Sequence, residues 1–169
     1  MSDRESLQQI KKEAEDRKLA EKAEADRRLA DEQRTKQDRK ALGRTKTAEL
    51  KAYCDEVFAG FPVLDGIPIS VAELESSTFH NVTSDGIGYV VLTIPFEAHM
   101  DTWPTTVPLL LCRHNGDQYE FFVGSSEKYS YPDGFTQFKE LLLKTIGEMT
   151  LPQIRNYAAQ VKEHIRFRR

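Results

Sequence analysis

The chain has little of what usually anchors a function in a sequence. Its 169 residues hold two cysteines, one tryptophan and three methionines. Cys54 and Cys112 lie far apart and set up no framework of the kind small secreted domains use, which points to a reducing compartment. No stretch reaches the roughly 18 consecutive apolar residues of a membrane span, and the opening MSDRESLQQIKKEAEDRK lacks the apolar core of a signal peptide. The expectation is a cytoplasmic chain with no membrane partner. A net charge of −3 gives no global drive toward nucleic acid. No G-x-S-x-G elbow and no glycine-rich phosphate loop after a strand are present, so hydrolase and nucleotide-binding motifs are missing. No catalytic residue, metal site or cofactor is assigned on these grounds.

Proline is also missing from Ser2 to Lys51, where Gly43 is the sole glycine. What fills that segment is alanine, glutamate, lysine and arginine, all good helix formers. Opposite charges recur four residues apart, as in Lys11 with Glu15, Glu13 with Arg17, Glu24 with Arg28 and Glu32 with Lys36. Each pair adds only about 0.2 to 0.5 kcal/mol, yet a series of them supports a solvated helix. A coiled coil needs apolar a and d positions over about three or four heptads. Leu7, Ile10 and Ala14 begin such a seam, but Arg17 and Glu21 follow in step, and DEQRTKQDRK (31–40) has no apolar face. Residues 1–44 therefore read as a charged helix or coiled-coil-like arm, roughly 75 Å long if about fifty residues are helical at about 1.5 Å each.

Apolar pattern returns in 45–169, read as a compact α+β domain. Leu50, Tyr53, Cys54, Val57 and Phe58 fall at helical spacing before Gly60 and Pro62 end the run. Ile67 to Leu74 reads as a strand. The stretch TFHNVTSDGIGYVVLTIPF (78–96) reads as a hairpin turning at Asp85-Gly86, with Phe79 and Asn81 on the face of Val90, Leu92 and Ile94, and His80 and Val82 on that of Tyr89 and Val91. Asn115-Gly116 predicts a second hairpin, whose two-residue turn would pair His114 with Asp117, Cys112 with Tyr119 and Leu110 with Phe121. Asp133 is the expected cap of a helix carrying Phe135, Phe138, Leu142, Ile146 and Met149. Thr150 with Gln153 matches a capping box opening a last helix, with Ile154, Ala158, Val161 and Ile165 facing inward. The fold class expected is α+β: a long charged N-terminal helix, then a small antiparallel sheet of about five strands packed with two C-terminal helices.

Three sets of residues invite a functional reading. Cys112 and His114, with His99 in the preceding loop, are the combination from which a metal site or a small hydrolase centre would be built. Strand alternation instead makes Cys112 a core residue between Leu110 and Phe121, with His114 near the rim. Arg155, Lys162, Arg166 and Arg169 recur at seven, eleven and fourteen residues along the last helix, a basic row suited to an anion or nucleic acid. Trp103 sits on a proline-edged loop, and Leu109, Leu111 and Phe122 make the second sheet face more apolar than a solvated face, so a helix of this chain or another subunit must cover it.

The order helix, strands, helix, helix is loosely similar to that of RWD-type interaction domains. The stretch IPFEAHMDTWPTTVPLLL (94–111) lacks their tyrosine-proline signature and has Trp103-Pro104 instead. The first functional reading is a non-catalytic protein-interaction or adapter module. Trp103, Leu109, Leu111 and Phe122 are its contact candidates, and the N-terminal helix is a tether or homo-oligomerising arm. The second is a nucleic-acid-associated accessory protein using the basic C-terminal helix, and the third a hydrolase or metal enzyme around His99, Cys112 and His114.

Overall fold

The structure, a computed structural model, describes residues 3–63, 66–76, 83–95, 106–123, 127–131, 134–150 and 152–153. The chain divides into two compact units, Met1–Asp38 and Arg39–Arg169. Helix α1 (Asp3–Phe58) contributes to both.

In the first unit every described residue is exposed except Ser6, which is half-buried. Leu7, Ile10, Leu19 and Leu29 are each more than half exposed. Their spacing explains it. Ile10 and Leu19 are separated by about two and a half helical turns, so they point to opposite sides and no stripe forms. Local contacts support the helix instead: Arg28 pairs with Glu24 at 2.5 Å, and Gln9 donates to Glu13 at 3.3 Å.

In the second unit the end of α1 carries a stripe, with Leu50, Cys54 and Phe58 buried and Tyr53 and Val57 packed beside them. The helix stops where Gly60 takes φ +73° and its N–H bonds to the Ile69 carbonyl. A short pair, β1 (Pro62–Val63) and β2 (Ile67–Pro68), leads into a five-stranded antiparallel sheet of β3 (Ser70–Leu74), β4 (Tyr89–Pro95), β5 (Thr106–His114), β6 (Tyr119–Val123) and β7 (Glu127–Tyr131). The strands lie side by side in chain order. Helix α2 (Phe135–Glu148) buries Phe138, Leu142 and Ile146, with Phe135 and Met149 packed against the same cluster, as its sequence spacing predicts. Both helices share one core with Val90, Leu92, Ile94, Leu110, Cys112, Tyr119 and Phe121. Tyr89, Val91 and Leu111 form a second buried cluster, joined by Leu74 and Phe122. The α+β class is thus as expected.

Four details differ from the sequence reading. First, β4 pairs with β3 on one edge (Val71 opposite Leu92) and with β5 on the other, so its hairpin partner is not the 78–82 segment. The Asp85-Gly86 signal is nonetheless a turn, since the Ile87 N–H donates to Asp85 Oδ1 at 3.0 Å and Gly86 has φ +79°. It leads into β4 without closing a two-residue hairpin. Phe79, His80, Asn81 and Val82 lie outside the described residues.

Second, the β5–β6 connection is a four-residue loop that places His114 opposite Tyr119 and Cys112 opposite Phe121. The Asn115 side chain accounts for the longer loop. Its Oδ1 accepts the N–H groups of Asp117 (2.9 Å) and Gln118 (3.1 Å), an Asx-type closure that competes with the tight turn. The register moves by two, so each side chain keeps its expected face.

Third, Leu92 faces Leu110 while Thr93 faces Pro108, which leaves Leu109 unpaired in a bulge. Pro108 has no N–H to give the ladder, and the irregularity falls beside it. Leu109 consequently joins Leu110 in the main core instead of sharing a face with Leu111. Fourth, α2 is capped by Gly134 at φ +123° with no side-chain cap bond, in place of the expected Asp133, which lies outside the described residues. One half of the capping box after α2 is in place: the Thr150 N–H donates to Gln153 Oε1 at 2.9 Å, the Thr150 hydroxyl donates to the same oxygen at 3.0 Å, and Pro152 and Gln153 are helical. Ile154, Ala158, Val161 and Ile165 lie outside the described residues.

Candidate functional site

The polar chemistry of the second unit converges where α1 crosses the β5–β6 hairpin. Contacts descend β5 as the helix rises. Arg39 pairs with Asp117, Gly43 packs on the His114 carbonyl and the Gly116 N–H, and Thr47 bonds to the His114 backbone. Arg44 Nε donates to the Gly86 carbonyl at 2.5 Å and ties the turn before β4 to the same helix. This segment begins ahead of Thr45, which is why the compact unit starts at Arg39.

Behind the hairpin lies a buried charge network. Arg113 and Glu120 are directly opposite in the register, and Arg113 Nε donates to Glu120 Oε1 at 2.6 Å. A second guanidinium nitrogen donates to Asp85 Oδ2 at 2.6 Å, and Asn115 Nδ2 reaches the other Glu120 oxygen at 3.2 Å. The Arg113 guanidinium also stacks over the Tyr89 ring, 4.1 Å from its centre. Burial pushes the Tyr89 hydroxyl up to about 12, with Arg113 pulling the other way. Among the described residues, no buried side-chain polar atom lacks a hydrogen-bond partner. A network satisfied in this way holds the turn before β4 and the β5–β6 hairpin together.

Cys112 and His114 share a face but do not act on each other. Cys112 is fully buried. Burial first, and Cys54 second, raise its pKa well above the ordinary thiol range. Thiolate character, which nucleophilic attack and metal ligation both require, is therefore suppressed. His114 is 8% exposed, and its Nδ1 accepts the Gly116 N–H at 3.1 Å. Its ring meets Tyr119 edge-on at 4.7 Å. Burial, helped by Lys46, pulls its pKa down. Its ring serves to shape the loop.

A cleft of about 240 Å³ lies between α1 and the ends of β3 and β4, lined by Arg44, Thr47, Glu73, Leu74, Gly86 and Tyr89 among others. Thr47 and Arg44 are already engaged by backbone groups, so the free polar lining is mainly carboxylate.

The remaining sequence candidates separate clearly. Leu109 and Leu111 are 3% and 0% exposed within the single chain, and Phe122 is half-buried with its ring edge-on to Tyr89 at 5.9 Å. Of the two covers envisaged for the second sheet face, the chain itself suffices for Leu111 and Val91. Trp103, His99, Arg155, Lys162, Arg166 and Arg169 lie outside the described residues. Sequence reasoning missed Thr47 and the Arg113–Glu120 pair. That pair was hidden by the register, since a two-residue turn sets Arg113 against Gln118. Comparison with family models, curated proteins and solved structures finds no match to this chain.

Proposed function

We propose that the chain is a non-catalytic protein-interaction or adapter module whose helix before Arg39 is a tether or oligomerising arm. One observation carries this reading: from Asp3 to Asp38 no described residue is buried, although Leu7, Ile10, Leu19 and Leu29 are all apolar and exposed. About 36 helical residues at about 1.5 Å each make roughly 54 Å of ordered helix that contributes nothing to a core of its own. Such a segment has its use outside the chain. The reading also draws on the satisfied polar network and on the inward-facing Cys112 and His114, which leave little for chemistry. Trp103 and the half-buried Phe122 remain the candidate contacts on the second unit.

Light scattering and co-precipitation with the full chain and a form starting at Arg39 test the proposal. The full chain is expected to show a higher multiple of its own mass, or to hold a partner that the shorter form releases. Equal mass and equal partner retention would remove the role given to the arm. Binding that collapses steeply with added salt would move the reading to nucleic acid.

A further inference from the structure

Strand β3 forms one edge of the five-stranded sheet. Ile69, just ahead of it, gives its N–H to the Phe61 carbonyl at 3.1 Å and accepts the Gly60 N–H at 3.0 Å, whereas pairing with β4 begins only at Ser70. Ile69 therefore turns its backbone away from β4. Backbone groups alternate in direction along an antiparallel strand. Those of Ser70, Ala72 and Leu74 face β4, opposite Thr93, Val91 and Tyr89, and those of Val71 and Glu73 face outward. Among the described residues no backbone group bonds to that outward side.

Edge strands are commonly protected by proline, lysine or a bulge. The β3 sequence SVAEL has no proline or lysine, and its five pairs with β4 run without a register shift. Its one charge is Glu73, and Glu75 follows directly after the strand. Side-chain alternation puts Glu73 on the face of Val71, which packs against the main core. Glu73 and Glu75 accordingly line the cleft of about 240 Å³ together with Thr47 and Ala48 of α1. Both carboxylates are exposed, and neither makes a hydrogen bond or ion pair among the described residues. The nearby cations are already engaged: Arg44 with the Gly86 carbonyl, and Lys51, which lies within electrostatic reach of Glu73, with Asp55 at 2.6 Å.

We infer that β3 accepts an added strand, an extended segment of a partner protein that carries lysine or arginine opposite Glu73. Its backbone pairs with the outward groups of Val71 and Glu73. Because directly opposed residues share a face, the basic side chain opposite Glu73 projects into the cleft between α1 and β3. There its aliphatic stem has Ala48 and Leu74 to lie against while its charged end meets the carboxylates. A second copy of the chain is the wrong occupant, since it brings its own Glu73 and Glu75 to the same seam, where like charges oppose pairing. The inference rests on the reading of the chain as an interaction module and gives that module a surface on the second unit.

Fluorescence anisotropy with the full chain and three labelled peptides tests it. One peptide alternates lysine and valine, the second has glutamate in place of lysine, and the third is the lysine peptide N-methylated throughout its backbone. The lysine peptide is expected to bind, and the other two to bind at least roughly tenfold more weakly, one for want of charge complementarity and the other for want of N–H donors. Glu73→Lys, at an exposed position, is expected to keep the urea midpoint close to that of the parent chain. It should weaken the lysine peptide at least roughly fivefold and tighten the glutamate peptide. No binding by the lysine peptide, equal binding by its N-methylated form, or an unchanged preference in Glu73→Lys would each overturn the inference. An arm that proves idle before Arg39 leaves all these readings as they stand, so the two proposals fail separately.

Discussion

Thr47 and His114 exchange two hydrogen bonds across the junction of α1 and β5. The Thr47 hydroxyl accepts the His114 backbone N–H at 3.0 Å and donates to the His114 carbonyl at 3.3 Å. Pairing between β4 and β5 ends at Val90 and Cys112, so the helix completes the strand where its neighbour stops. Thr47 is 7% exposed, and water cannot easily replace it. Thr47→Val keeps the shape but orphans a buried N–H and C=O, and is expected to cost about 1 to 3 kcal/mol in urea unfolding. Thr47→Ser, which keeps the hydroxyl and loses one methyl, is expected to cost about 0.8 kcal/mol or less.

Two helical glycines are expected to respond to alanine with opposite signs. A Cβ on Gly43 would stand 2.8 Å from Ile87 Cδ1 and 2.9 Å from the His114 carbonyl oxygen, whereas one on Gly147 meets nothing within 4 Å. Alanine gains about 0.5 to 1 kcal/mol in a helix through reduced backbone freedom. Gly147→Ala should therefore raise the unfolding midpoint. At Gly43 the clash involves main chain that is fixed by Thr47, so overpacking of about 1 to 3 kcal/mol outweighs the gain and the midpoint should fall. Equal shifts in both variants would show that α1 does not approach the hairpin so closely.

That close approach is also where the sequence became illegible. The stripes Leu50–Cys54–Phe58 and Phe138–Leu142–Ile146 were readable because helical burial repeats every three or four residues, and the faces of β4 and β6 because strand side chains alternate between the two sides of the sheet. Neither periodicity tells how long a turn is or which strands are neighbours. The Asn115 side chain lengthened one loop by two residues and hid the opposition of Arg113 to Glu120. The bulge beside Pro108 turned Leu109 to the other face. The site at the junction depends on the docking of α1 across β5, and no local pattern around Gly43 or Thr47 encodes its partner far along the chain.

The Arg113–Glu120 pair should show strong non-additivity. Glu120 is wholly buried, and Arg113 is 9% exposed. Removing only the arginine, as in Arg113→Met, takes the Arg113 counter-charge from a buried carboxylate and is expected to cost about 3 to 5 kcal/mol. The double variant Arg113→Met with Glu120→Leu removes the buried carboxylate too, and is expected to recover much of that loss because a desolvated pair is often replaceable by packed apolar residues. A double-mutant cycle by chemical denaturation measures the coupling. Simple addition of the two single losses would show that the charges act independently.

His114 should make stability fall on mild acidification. Its folded pKa lies below the ordinary imidazole value of about 6.5, with burial the first cause and Lys46 the second, while Glu120 and Glu49 pull the other way. The unfolded chain therefore binds this proton more readily than the folded one. The stabilising contribution is present above the unfolded pKa near 6.5 and is lost as pH falls toward and through the lower folded value. The Gly116 N–H sharpens the effect, because it donates to the Nδ1 lone pair that a proton would occupy. His114→Asn offers an amide oxygen to that N–H without titrating in this window. Its unfolding free energy is expected to change less with pH than that of the parent chain on going from above 6.5 to below it, as read from urea titrations at each pH. An unchanged pH slope in His114→Asn would place the acid sensitivity at other groups and would mean that His114 can take up a proton without breaking the hairpin.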